Sequence, residues 1–237
     1  KLVPDRPDAP AVMPKYLDDG LLRTPSIALD RARLEILRLS ERVRNMLAES
    51  GDAVLSGSNE DLVNIEAMDD EVDSLYASIV DYLGRLSKGE LLSHETDELF
   101  QLMEATNNLE AIGDIIETNL VQLGLARIEN ELVLSPESQD LVQAFHWEVL
   151  TAYELAMLAV TQKNEEAAHR CAAMRSTINS MARKADKYQA SRLVSDEANR
   201  VDSYAFETDV VAHFKRIYWF TRRTARIAIP ASRHSDD

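Results

Sequence analysis

Apolar residues recur at alternating three- and four-residue intervals along most of the chain, a rhythm that permits little besides packed helices. The first lane is Leu29, Ala32, Ile36, Leu39, Val43 and Met46. A second is Ile65, Met68, Val72, Leu75, Ile79, Tyr82 and Leu86, and a third is Leu102, Thr106, Leu109, Gly113, Ile116, Leu120 and Leu123. No period-2 stretch is long enough for a core strand. Turn residues are scarce as well: the 237 residues include 7 Gly and 7 Pro, and no Gly follows Gly124. Sandwiches and barrels need far more of them.

Breaks divide this rhythm into six. Thr24-Pro25 or Ser26 opens the first helix, and Gly51 with Ser56-Gly57-Ser58-Asn59 is expected to turn the chain into the second. Ser87-Lys88-Gly89 ends that helix and the third begins around Ser93. After a break from Ile128 to Ser135, Ser135-Pro136-Glu137 opens a fourth helix that runs to about Gln162. The fifth follows Lys163-Asn164 and passes through Ile178, Met181 and Ala185 toward Val194. The sixth starts near Ser195-Asp196, carries Val201, Tyr204, Val211, Phe214, Ile217, Phe220 or Thr221, Thr224 and Ile227, and stops at Pro230. The expected fold is all-α: two consecutive antiparallel three-helix bundles, similar in plan and read as a pseudo-duplication. Residues 1–25 form a Pro-rich linker or arm, 26–130 the first bundle, 131–230 the second, and 231–237 a tail.

Charge is concentrated in the first bundle. The net charge is -15, and residues 52–123 hold 17 acidic side chains against Arg85 and Lys88, so the remainder sums to zero. Such a field excludes nucleic acid as a partner and favours cations. The single cysteine, Cys171, forms no internal disulfide, which points to a reducing cytoplasm. No apolar run reaches the length of a membrane span, and a chain that opens on Lys1 reads as a piece of something longer.

Two acidic pairs share one phase. Asp69 and Asp73 directly follow the core positions Met68 and Val72, while Glu110 and Asp114 follow Leu109 and Gly113. Each pair projects two carboxylates from one side of a helix, one turn apart. Antiparallel packing of the second and third helices brings the pairs together at the edge of the core, with Asn107 and Glu117 extending the row. Gathered carboxylates repel unless protonated or bridged by a cation, and oxygen ligands suit Mg, Mn, Fe or Zn without choosing among them. Gly113 within a helix fits the close approach of another helix or an ion. Acidic pairs at this spacing are also common on solvated faces.

The stretch Asn107-Asn108-Leu109-Glu110-Ala111-Ile112-Gly113-Asp114 resembles the Leu-Glu-Arg-Ile-Gly-Asp signature of PhoU proteins, and Met68-Asp69-Asp70-Glu71-Val72-Asp73-Ser74-Leu75 resembles the acidic motif on the helix before it. The opening Pro14-Lys15-Tyr16-Leu17-Asp18 and the final Phe214-Lys215-Arg216-Ile217-Tyr218 look most like the cytoplasmic C-terminal PhoU domain of bacterial sodium/phosphate cotransporters. The resemblance implies a six-helix, non-catalytic regulator of phosphate uptake, cytoplasmic and tethered to the inner face of the membrane. Its partners would be a membrane transporter domain, in cis or in trans, and further copies of itself. It also implies a multinuclear metal site of Fe, Mn, Zn or Mg at Asp69, Asp73, Glu110 and Asp114. Ala111 replaces the family's Arg and Asn108 its Asp. In the second bundle Ala182, Lys215 and Trp219 stand at ligand positions and only Asp186 survives, so no second metal site is expected. A free-standing phosphate-signalling adaptor and a metal-dependent enzyme using the same carboxylates are the alternatives.

Other features read more plainly. Glu166 and His169 lack the second motif a di-iron bundle requires. Asp209 and His213 read as a salt-linked surface pair, His146 as a partly buried packing residue, and Cys171 as a small core residue. The segment from Lys215 to Arg223 is the one basic, aromatic stretch. It reads either as a core helix with a charged side or as a surface for a membrane domain or anionic headgroups.

Overall fold

A computed structural model describes residues 12–192 and 200–229, and every regular element among them is helical. The helices are α1 (Pro25–Ser56), α2 (Asn59–Leu86), α3 (Ser93–Asp114), α4 (Gln122–Glu129), α5 (Pro136–Gln162), α6 (Glu165–Ala173), α7 (Arg175–Arg192) and α8 (Arg200–Arg226). A π-helical stretch, Ile115–Val121, joins α3 to α4, and only Met174 separates α6 from α7. Counted as rods, these are the six expected helices. The expected sixth-helix start at Ser195-Asp196, the stop at Pro230, residues 1–11 of the N-terminal arm and the 231–237 tail lie outside the described residues.

Local chemistry sets several boundaries. Ser58 and Asp61 form a reciprocal capping box on α2, the Ser58 side chain accepting from the Asp61 N–H while Asp61 accepts from the Ser58 N–H at 2.8 Å. Ser135 accepts from the Ser138 N–H with Pro136 at the first helical position of α5, and Asn164 caps α6. Arg127 of α4 donates to the carbonyls of Val54 and Gly57, which meets acceptors orphaned at the end of α1.

α1 packs on α2 and α3; α5 packs on α6, α7 and α8. The two triplets also touch, α1 against α5 and α3 against α8. His146 and Tyr153 of α5 bond the carbonyls of Leu47 and Ser40, at 2.6 and 2.8 Å, so α5 runs antiparallel to α1. The buried side chains form one continuous cluster through both triplets.

Three expectations need correction. Gly51 does not begin a turn: α1 continues through it to Ser56, and the glycine makes room for His146, whose Nδ1 would stand 2.5 Å from a Cβ at that position. His146 is fully buried, not partly so. Val201 is 71% exposed, and the buried face of α8 begins with Arg200, Ser203 and Phe206 instead.

Candidate functional site: the acidic seam between α2 and α3

Heptad-like packing sets α2 and α3 side by side and antiparallel, so Tyr76 reaches Asn107 at 3.3 Å while Asp69 lies beside Gly113. A Cβ at residue 113 would stand 2.9 Å from Asp69 Oδ1 and 3.3 Å from Val72 Cγ1. The glycine therefore accommodates the neighbouring helix and, at the same point, its carboxylate. Such a residue costs a helix about 1 kcal/mol against alanine, which close approach explains.

Asp69 is buried, and its Oδ1 has no hydrogen-bond partner. Burial, followed by the charges of Asp73, Glu117, Asp114 and Asp70, pushes its carboxyl up to about 7. Asp73 and Glu110 are raised for the same reasons: burial leads in each, with Asp114 the strongest unfavourable charge. The Tyr76 hydroxyl is raised by burial and by Glu110, Asp114 and Asp73. The four carboxylates singled out in the sequence thus share one electrostatic neighbourhood. Asp73 and Asp114 are exposed and Glu110 is half-buried.

Sequence reasoning placed Glu117 only as an extension of the row; it is a full member. It lies in the π-helical stretch, a rare geometry that is frequent at functional sites. Nothing in the spacing signals that stretch. Among the described residues no group of three His, Cys, Asp or Glu side chains is drawn tightly enough to hold a metal ion as it stands. The donor set nonetheless suits one: hard oxygen ligands, excess negative charge, and a buried acceptor without a partner.

The remaining candidates fall apart as sites. Glu166 and His169 are both exposed. Asp209 and His213 form no ion pair among the described residues; burial lowers the His213 imidazole more than Asp209 raises it. Cys171 is buried and its thiol is pushed up to about 12 by that burial, so it is no nucleophile at neutral pH. Lys215, Trp219 and Asp186 are exposed while Ala182 is buried.

Residues 36–120, which include the whole acidic seam, match the family model described as the PhoU domain. The YjbB protein of Salmonella typhimurium, named for inorganic phosphate export, is 24% identical over 218 residues, 92% of this chain and 40% of its own length. Its counterpart in Escherichia coli K12 is 23% identical over 217 residues, with 91% and 40% covered. The chain therefore spans about 40% of the length of the curated relatives it matches. These relatives are named for phosphate export, where the sequence pointed to sodium/phosphate cotransporters. The crystal structure of PhoU from Pseudomonas aeruginosa superposes with a TM-score of 0.80 at 15% identity, covering 87% of this chain and 98% of that one. The phosphate transport system regulatory protein PhoU from Streptococcus pneumoniae gives a TM-score of 0.77 at 15% identity, covering 90% and 100%. The chain has the PhoU fold, with a PhoU-domain match across the helices that carry its acidic seam.

Proposed function

We propose that this chain is a regulatory, non-catalytic module of a phosphate transport system, acting on a membrane transporter domain from the cytoplasmic face. The observation that carries this reading is the alignment of 92% of the chain with 40% of a longer protein named for phosphate export, together with the fold. That proportion favours a module attached to a transporter over a free-standing adaptor. No helix among the described residues is long and apolar enough to cross a membrane.

The acidic seam is the control point in this proposal. Asp69, Asp73, Glu110 and Asp114 would hold a divalent or trivalent cation, with Glu117 beside them, and the cation would supply the positive charge that relieves their repulsion. Binding would draw the exposed Asp73 and Asp114 toward the buried Asp69. An enzymatic reading would use Asp69, whose carboxyl is raised to about 7, as its base; it finds less support, because the chain shares its fold with a phosphate transport system regulatory protein.

Radiolabelled phosphate flux in cells deleted for the gene, with and without the restored full-length protein, tests the regulatory reading. Changed net flux on restoration supports it, and identical flux with the protein present contradicts it. Metal content by mass spectrometry after gentle purification tests the seam separately. Bound metal should be lost in Asp69→Asn/Asp114→Asn, and retention of that metal in a folded variant would place it elsewhere.

A further inference from the structure

The seam between α7 and α8 carries the opposite charge from the seam between α2 and α3. Where the sequence sets Lys215 and Trp219 at positions held by acids in the first triplet, the structure opens a cleft of about 250 Å3 lined by Arg175, Ile178, Asn179, Lys215, Trp219 and Arg222. Among the described residues no carboxylate lines it. We infer that this cleft binds a phosphoryl group, as free phosphate or as the monoester headgroup of an anionic lipid.

Three formal positive charges meet there without a counter-charge among the described lining residues. Arg33, Arg38, Arg42, Arg44 and Arg85 in the first triplet all pair with carboxylates. Arg175, Lys215 and Arg222 have no ion pair among the described residues. The next arginine, Arg223, is already committed: its Nε donates to Glu104 at 2.7 Å while its guanidinium lies over the Trp219 ring. Nε of Arg222 is buried and has no hydrogen-bond partner. A buried, charged donor without an acceptor is unusual in a folded protein and is satisfied by an anionic oxygen. The groups around Arg222 do not supply one. The Tyr218 hydroxyl donates to the Cys171 carbonyl at 3.0 Å, and burial pushes both the Tyr218 hydroxyl and the Cys171 thiol up to about 12. Both are therefore neutral at physiological pH.

The chemistry selects the ligand. Guanidinium groups present planar forks of N–H donors that match the oxygens of a phosphate, and a lysine adds a point charge. A dianion makes fuller use of three cations than a single carboxylate does. Asn179 adds an amide, and Trp219, 53% exposed, forms an apolar wall suited to whatever the phosphoryl group is attached to. This inference stands on the cleft alone, independently of the acidic seam and of any role in transport.

Calorimetric titration of the full chain with inorganic phosphate at constant ionic strength is the first arm of the test. The second is co-sedimentation with phosphatidylcholine vesicles with and without phosphatidic acid. Saturable binding in either arm, weakened about tenfold by Arg222→Gln as expected for loss of a charge-assisted hydrogen bond and left unchanged by Arg223→Gln, supports the site. Binding of free phosphate identifies the soluble anion as the source; binding only to phosphatidic acid identifies the lipid. Lys215→Gln alters an exposed side chain and carries the same expectation if Arg222→Gln fails to fold by circular dichroism. No binding in either arm, binding equal on pure phosphatidylcholine, or binding indifferent to the substitution in the folded variant overturns the inference.

Discussion

A methyl group added at Gly51 would stand 2.5 Å from Nδ1 of His146, a buried ring fixed by its contact with the Leu47 carbonyl. Alanine normally gains a helix about 1 kcal/mol over glycine, but overpacking a fixed ring costs about 1–3 kcal/mol. Gly51→Ala should therefore lower stability by about 1–2 kcal/mol on balance. In a denaturation double-mutant cycle the penalty should shrink when His146→Ala is also present; additive effects would show that the ring does not set the fit. Asp69 makes a prediction about pH. Its folded value of about 7 lies above its ordinary 3.8, so the native state holds that proton more tightly than the unfolded chain does. Stability of the metal-free protein should fall as pH rises between about 4 and 7, with the full penalty present above that window. Asp69→Asn should flatten this part of the profile, measured by denaturant unfolding across pH, despite the neighbouring Asp70, Asp73, Asp114 and Glu117. An unchanged slope would mean that the carboxyl is solvated.

At the level of single helices, the rhythm of apolar residues sufficed to place nearly every rod, because a 3–4 spacing has one physical solution and the caps at Ser58 and Ser135 are local. Where tertiary contact overrides local signal, the sequence misled. Gly51 looks like punctuation but is a seat for His146. The π-helical stretch, Ile115–Val121, leaves the apolar lane intact at Ile116 and Leu120, so no spacing betrays it. The acidic pairs and the role of Gly113 were legible because both follow from phase on adjacent antiparallel helices. The exposure of Asp73 and Asp114 was not, since phase locates a side chain on a helix without fixing how far it extends. The arm before α1 was legible only as Pro-rich. In the structure the fully buried Glu35 accepts from the N–H groups of Lys15 at 2.8 Å and Tyr16 at 2.7 Å and also pairs with Arg38. Glu35→Ala should release this arm at a cost of about 2 kcal/mol, with faster hydrogen exchange at Lys15 and Tyr16. Unchanged exchange there would show that the arm is held elsewhere.

Across the whole molecule, the two helical triplets share one continuous core and are joined at exposed points by Arg44 with Glu154 and Arg223 with Glu104. Exposed pairs of this kind contribute about 1 kcal/mol or less. Arg223→Glu should therefore leave the fold intact with a stability change of that size by thermal unfolding, and a collapse would assign the pair a larger structural role. The molecule as a whole presents an acidic seam on one triplet and a basic cleft on the other, which suits a regulator that responds to charged ligands without transforming them. The most direct test is phosphate flux in cells carrying the full-length protein with Asp69→Asn/Asp114→Asn, compared with wild type at equal expression and with folding verified. Altered regulation of net flux in the variant is the predicted result, and flux indistinguishable from wild type would contradict the acidic seam as the control point.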